Sequence, residues 1–354
     1  MTTEILPTET PGQLTEAVNR AVELLNAGEA VALPTETVYG LAANALNPDA
    51  VAKIFAAKER PSFDPLIVHI ARRHHLTELA VIPQEIADAV EKIVGALWPG
   101  PLTVVLPKTA AVPDLVTSGL PTVAIRMPAH PIFRRVLRDA GFPLAAPSAN
   151  RFGRISPTSA SAVVKELEGR IPLIVDGGAC FEGLESTIVR IHPPLEGKTR
   201  PQIEILRAGP VTKEQLREFG QVRFAKKARA RSESDASPAA ETPEVPGQLA
   251  SHYAPQTPLR VLEPGDVFQP EPGRRYGLLS YTGEPKKLNL AHFAEVAALS
   301  PGSGKLQEAA IRFFAVLRQL DEAGVDEIIA EPVSEVGLGV AIMDRLRRAA
   351  VKRG

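Results

Sequence analysis

Between Lys58 and His69 the chain reads Lys-Glu-Arg-Pro-Ser-Phe-Asp-Pro-Leu-Ile-Val-His, and no other stretch constrains the fold as tightly. Two cations end an amphipathic segment, a loop bounded by Pro61 and Pro65 follows, and a short apolar run then carries a histidine. Proline fixes its own φ and restricts the residue before it, so neither helix nor strand can run through this loop. The segment must be helix, tight loop and strand, with Lys58 and Arg60 held at the junction. A fixed cationic pair at such a place suits a polyanion such as a nucleotide triphosphate. A solvated helix end, its cations offsetting the helix dipole, accounts for the same residues.

The rest of the chain repeats this grammar. Residues 14–27 place Leu14, Val18, Ala21 and Leu25 on one helical face, and Gly28 follows as a stop. A strand is expected over 30–33. Asn47-Pro48-Asp49 opens a helix with Val51, Ile54 and Phe55 inward, ending near Lys58. Residues 66–70 read as a strand and 84–97 as a helix burying Ile86, Val90, Ile93 and Leu97. Short β-rich runs follow at 102–106, 123–127, 144–146, 173–175, 187–191 and 203–206. Strands alternating irregularly with helices predict an α/β unit over residues 1–220 with a twisted, mixed sheet.

The character changes near residue 221. Lys226, Lys227, Arg229 and Arg231 precede a Ser-, Ala- and Pro-rich run to Pro243, which cannot bury a core and reads as a tether within a linker over 221–257. From residue 258 to 354 a second, small α/β unit is expected, with strands at 276–281 and 327–330 and helices at 306–323 and 340–351.

Composition narrows the function classes. A net charge of −1 gives no bulk attraction for nucleic acid or an acidic membrane, so any anion site must be a local cluster. The single cysteine, Cys180, excludes an intrachain disulfide and a cysteine-built metal cage, which fits a reducing cytoplasm. The first residues lack the basic and apolar regions of a signal peptide, and no apolar run reaches the ~18 residues of a membrane span.

Two glycine motifs fail on inspection. Gly302-Ser303-Gly304-Lys305 imitates the end of a phosphate loop, but Leu299 stands where the upstream glycine belongs and Leu306 where a Ser or Thr should be. Gly337-Leu338-Gly339-Val340-Ala341-Ile342 imitates a dinucleotide fingerprint, with Ile342 in place of the third small residue. Both are expected to be turns, and His74-His75 a surface turn. What remains is a series of polar loops at strand ends, around 34–41, 58–69, 98–103, 122–128, 146–150, 156–158, 185–187 and 206–210. Hydroxyls, an amide and cations at consecutive strand ends are what a ligand crevice in an open α/β sheet requires. Arg126 lies in an apolar strand and so must meet an internal carboxylate or an anionic ligand.

In this order, Pro34–Leu41, Lys58-x-Arg60-Pro61, Pro65-Leu66-x-x-His69, Trp98-Pro99-Gly100-Pro101, Arg126-Met127-Pro128, Ser148-Ala149-Asn150 and Ser186-Thr187 resemble the YrdC-like family of threonylcarbamoyl-AMP synthases. The stretch Pro246-Gly247-Gln248-Leu249-Ala250-Ser251-His252-Tyr253-Ala254-Pro255 resembles the linker of its two-domain form, which adds a small Rossmann-like C-terminal domain. One departure is Asp64, where relatives often carry Asn. The resemblance implies a nucleotidyltransferase that joins L-threonine, bicarbonate and ATP into threonylcarbamoyl-adenylate and releases pyrophosphate. A partner transferase complex then modifies an adenosine of tRNA. Mg2+ would accompany ATP, with no organic cofactor and no metal held by protein side chains; direct tRNA contact would not be required. It further implies that Thr37, His69, Arg126, Ala146 and Ser186 hold threonine, while Lys58, Arg60, Ser148 and Asn150 surround the triphosphate as the catalytic groups. Asp64, Thr122, Ser156 and Arg207, with Arg60 and Ser148, would complete the nucleotide site, and Tyr253 would close over it as part of a lid at 251–255. A plain RNA-binding module or a carbamoyl-transfer protein on the same fold are the alternatives; the latter carries zinc-finger cysteines, which this chain lacks.

Overall fold

The computed structural model describes residues 2–225, 243–263, 265–285 and 287–351. The tether read across 226–242 lies outside the described residues. Strands run in the order β1 (Glu4–Pro7), β2 (Val31–Leu33), β3 (Gly40–Asn44), β4 (Ile67–His69), β5 (Leu102–Pro107), β6 (Thr122–Arg126), β7 (Leu144–Ala145), β8 (Leu173–Asp176), β9 (Thr187–His192), β10 (Gln202–Arg207) and β11 (Gln221–Phe224). These eleven form one mixed sheet ordered β1-β8-β2-β3-β7-β4-β6-β5-β9-β10-β11. The expected α/β unit with a mixed sheet is therefore present, and helices cover its faces. Gln221–Phe224, read from the sequence as the start of the linker, pair in parallel with β10 and extend the sheet.

The helix Pro48–Lys58 shows how local chemistry aims a functional side chain. Asn47 Oδ1 accepts from the backbone N–H of Asp49 at 3.0 Å and of Ala50 at 3.3 Å, a cap worth about 1 kcal/mol. At the other end Glu59 takes a left-handed conformation (φ 54°), and the Arg60 N–H closes back on Phe55 O at 2.9 Å. That reversal turns both Lys58 and Arg60 inward, where they are buried. The solvated helix end is thereby excluded.

The C-terminal sheet is wholly parallel, ordered β12 (Leu259–Val261), β15 (Glu327–Ala330), β13 (Tyr276–Ser280), β14 (Glu295–Ala298), with the helices Leu306–Asp321 and Leu338–Ala349 beside it. The Gly302 motif forms a turn as expected. The Gly337 motif does not: Leu338–Ile342 are the first residues of a helix, and a Cβ on Gly339 would sit 1.7 Å from Ser334 O. That glycine serves a close backbone approach, not a nucleotide. The two units share apolar packing, since Val38, Ile155, Leu184 and Tyr253 join the cluster built around Phe313, Phe314 and Leu346.

Candidate functional site

Strand register assembles the site. His69 of β4 lies opposite Arg126 of β6, and Arg126 lies opposite Thr103 of β5. Leu102 of β5 in turn pairs with Thr187 of β9, and Arg207 ends β10 opposite Ile188. Residues far apart in the chain thus form one row across neighbouring strand ends. Over this row lies a small cavity of ≈ 50 Å³, walled by Thr37, Arg60, His69, Arg126, Ala146, Ser148, Glu185, Ser186 and Arg207, with Pro246, Gly247, His252 and Tyr253 as its roof.

Arg126 is the floor's central cation. Its Nε donates to Gly100 O at 3.2 Å and its Nη1 to Thr37 Oγ1 at 3.0 Å, while Nη2 stands 2.6 Å from Glu36 Oε1. Beyond this ion pair Nη2 has no hydrogen-bonded partner, nor has Glu36 Oε2. Burial alone would push the Glu36 carboxyl up, but the charge of Arg126 and the bonds it receives hold it below the usual range. His69 is pushed down to about 3 by burial and by the neighbouring Arg126, so the imidazole is neutral, and its Nδ1 is unpartnered. Ser186 Oγ lies 2.8 Å from Thr103 Oγ1, and the Ser186 carbonyl accepts from Arg207 Nε at 3.1 Å and Nη2 at 3.0 Å.

A second cationic group stands along one side. Lys58 Nζ donates to Ser148 O at 2.6 Å and also to Asn150 O. Burial, then the charge of Arg60, drives this ammonium well below its usual range. Arg60 donates to Asp64 O at 3.1 Å and Pro65 O at 2.8 Å, and its Nη2 lies 2.9 Å from Asp64 Oδ2. Burial raises the Asp64 carboxyl against the pull of Arg60, and lowers Arg60 and Arg207 from their ordinary values.

Nine of the residues singled out from the sequence reach the cavity wall or roof: Thr37, Arg60, His69, Arg126, Ala146, Ser148, Ser186, Arg207 and Tyr253. Lys58, Asp64, Asn150 and Ser156 stand behind it. Asn150 Nδ2 is spent on the carbonyls of Arg151 and Arg154, and Ser156 Oγ on Glu185 Oε1 at 2.5 Å. Thr122 is not brought in: it begins β6, whose other end is Arg126, about 13 Å away at strand spacing. Sequence reasoning missed Glu36 and His252 as site residues and gave Glu185 no role. The only signal for Glu36 and Glu185 was a place inside the polar loops already noted, and for His252 a place in the segment beside Tyr253. His74, His75 and Glu78 bring their ligand atoms within 4.8 Å of one another at the surface, outside this wall.

Residues 23–209 match a family profile described as telomere recombination, and residues 211–351 one described as the threonylcarbamoyl-AMP synthase C-terminal domain. Threonylcarbamoyl-AMP synthase of Pyrococcus abyssi is 39% identical over 347 residues, covering 93% of this chain and 93% of the relative. That of Bacillus subtilis is 41% identical over 343 residues, covering 94% and 92%. The crystal structure of P. abyssi Sua5 complexed with L-threonine superposes with a TM-score of 0.81 at 36% identity, covering 99% of this chain and 98% of that one.

Proposed function

The chain belongs to the threonylcarbamoyl-AMP synthase family, and from this premise we propose how its crevice carries out that synthesis. It is an enzyme of nucleotidyltransferase type, making threonylcarbamoyl-AMP for tRNA modification. The observation that carries the assignment of roles is Arg126: of the five N–H donors of a guanidinium, Gly100 and Thr37 take two, Glu36 stands 2.6 Å from Nη2 as an ion pair, and the remaining N–H groups of this buried cation are without a hydrogen-bonded partner. A carboxylate arriving there gains a bidentate, charge-assisted contact. Thr37, neutral His69, the Ala146 backbone and Ser186 complete a pocket for L-threonine around it.

The amino nitrogen of threonine attacks the carbon of bicarbonate, water leaves, and a carbamate forms. A carbamate oxygen then attacks the α-phosphorus of ATP, and the bond to the β-phosphate oxygen breaks, releasing pyrophosphate. No side chain here is poised as a covalent nucleophile, so the protein contributes position and charge. Lys58 and Arg60, with Ser148 and Asn150 beside them, offset the negative charge moving onto the leaving pyrophosphate. Arg207 and Ser156 border the nucleotide, and Asp64 acts by fixing Arg60. The proposal for Thr122 is adenosine contact at a distance from the chemistry. Among the described residues of the crevice, each of the buried carboxylates Glu36, Asp64 and Glu185 lies within ion-pair distance of an arginine. That fits magnesium arriving as part of the MgATP substrate.

The cavity has room for about four waters, far less than a nucleotide needs. The segment over it, from Pro246 to Tyr253, must therefore lift to admit ATP and close afterwards, shielding a mixed anhydride from water. We accordingly divide the chain into a catalytic unit through residue 225, a strap before residue 258, and a C-terminal unit. The product passes to a downstream transferase in the cytoplasm; the strap keeps it until then. Pyrophosphate release measured with threonine and bicarbonate omitted in turn tests the function: release must need both, and release with ATP alone refutes the reading.

A further inference from the structure

One large side chain beside the crevice belongs to neither set of substrate contacts. Arg345, on the C-terminal helix Leu338–Ala349, is 0% exposed. Its Nε lies 3.2 Å from Glu185 Oε2, its Nη1 donates to Ala208 O at 2.5 Å, and its guanidinium carbon stands 5.5 Å from the centre of the Tyr253 ring. Three segments meet on this one cation. Glu185 precedes Ser186, Ala208 follows Arg207, and Tyr253 belongs to the roof. The other oxygen of Glu185 accepts from Ser156, so the carboxylate is fixed from both sides.

The loop is held a second time, by backbone alone. Gly183 adopts φ +72°, and a Cβ there would lie 2.3 Å from Ile311 Cα on the neighbouring C-terminal helix. Two helices of the C-terminal unit thus clamp the 183–186 loop, one by close contact and one by charge.

Stability alone is a poor account of Arg345. Replacing a buried ion pair by well-packed apolar residues is often neutral or stabilising, and here Nη2 is buried without a partner. What a cation does here that an apolar residue cannot is hold a carboxylate, a carbonyl and an aromatic face in fixed relation. We infer that Arg345 is a positioning residue for adenylate formation, supplied by the C-terminal unit, which sets the Glu185–Ser186 wall, the Arg207 strand end and Tyr253 relative to one another. This rests on the proposed function and adds to it: the C-terminal unit completes the catalytic site as well as carrying the strap.

The test uses the full chain with Arg345→Met, which keeps length and removes charge, and Arg345→Lys, which keeps charge but reaches fewer partners. Arg345→Met is expected to lower kcat by roughly 10²-fold, as displacements remote from the chemistry do, with Arg345→Lys between it and wild type. Threonine affinity without nucleotide should stay within about threefold, because Gly100, Thr37 and Glu36 orient Arg126 and Thr103 Oγ1 holds Ser186 Oγ at 2.8 Å, neither through Arg345. Combined with Glu185→Gln, the loss should not exceed the larger single loss, since the pair acts as a unit. A merely structural arginine would lower the melting temperature and leave kcat of the folded enzyme unchanged, and that result overturns the inference, as do losses that multiply. Should Arg345→Met not fold, wild-type kcat in Arg345→Lys likewise overturns it. An inactive wild type defeats the proposed function itself; an active wild type with unaffected variants defeats only this inference.

Discussion

Replacing Arg126 by Met separates the two demands placed on this residue. Its guanidinium offsets a buried carboxylate, 2.6 Å away in Glu36, and lines the cavity. Both side chains are nearly inaccessible, at 4% and 1% exposure, so solvent screening offers little relief when one partner is lost. Breaking a buried pair by removing one member costs roughly 3–5 kcal/mol of stability, because the other charge is left uncompensated. Glu36 then loses the attraction that holds its carboxyl low, and burial pushes it upward toward protonation. The same substitution removes a charge-assisted contact to the threonine carboxylate, at about 2–5 kcal/mol, which is roughly 30-fold to several-thousand-fold in Kd. The two effects part in the double variant Arg126→Met with Glu36→Gln. Both charges are then gone, so denaturation should show most of the stability restored. Calorimetric titration should show threonine affinity still lost, and affinity for a non-hydrolysable ATP analogue little altered. If threonine affinity returns together with stability, Arg126 serves the fold alone and the substrate assignment is wrong.

Lys58→Ala and Arg60→Ala should each reduce pyrophosphate release about 10²-fold or more while sparing threonine binding in the absence of nucleotide; near-normal turnover removes both from the triphosphate. His69 should make the protein acid-sensitive: its folded pKa, about 3, lies below the unfolded 6.5. The unfolded chain therefore binds more protons between those values, stability falls as pH drops through that window by up to about 1.4 kcal/mol per unit, and above it the contribution is flat. Buried His252 and the lowered Glu36 act with the same sign, so His69→Asn should flatten the stability curve only in part. Gly247→Ala places a Cβ 2.6 Å from Tyr253 Oη at φ +81°, which should displace the strap and raise hydrolysis of the adenylate relative to its formation; an unchanged ratio of intact product to pyrophosphate argues against the strap as a shield.

What the sequence made legible were the features written locally. The Asn47-Pro48 cap, the Pro61 and Pro65 loop and the parallel β-rich runs of the C-terminal unit all appear near their expected places. The missed strands have physical reasons. β3 is Gly-Leu-Ala-Ala-Asn, with little strand propensity, yet most of it is fully buried in mid-sheet. Small residues are needed there, since a Cβ on Gly40 would meet Ala146 Cβ at 3.3 Å. β14, Glu-Val-Ala-Ala, has similarly little strand propensity and is a partly buried edge of the C-terminal sheet, while β1 and β11 are short, largely exposed edges. Arg126 was legible as a cation needing a partner, but its pairing with Glu36 across 90 positions was not. Arg345 was invisible for the same reason, its carboxylate lying 160 residues away.

The charge count around the crevice gives these separate contacts a common logic. Among the described residues at or directly behind its wall, five buried cations (Lys58, Arg60, Arg126, Arg207 and Arg345) meet three buried carboxylates (Glu36, Asp64 and Glu185), and the less buried Asp344 lies 3.6 Å from Arg345. Each of the three buried carboxylates is committed to one arginine, which leaves Lys58 and Arg207 with carbonyl and hydroxyl oxygens alone. Carbonyl dipoles satisfy their N–H groups but do not neutralise their charge, and burial drives Lys58 well below its ordinary range. An excess of buried positive charge is costly in the empty protein, and a triphosphate and a carboxylate are the chemistry that relieves it. On the proposed function, binding energy from the nucleotide would then hold cations where charge develops on the leaving group, rather than being spent on gathering them. Neutral His69 belongs to the same arrangement: next to Arg126, a second cation would add to the excess without gaining a partner.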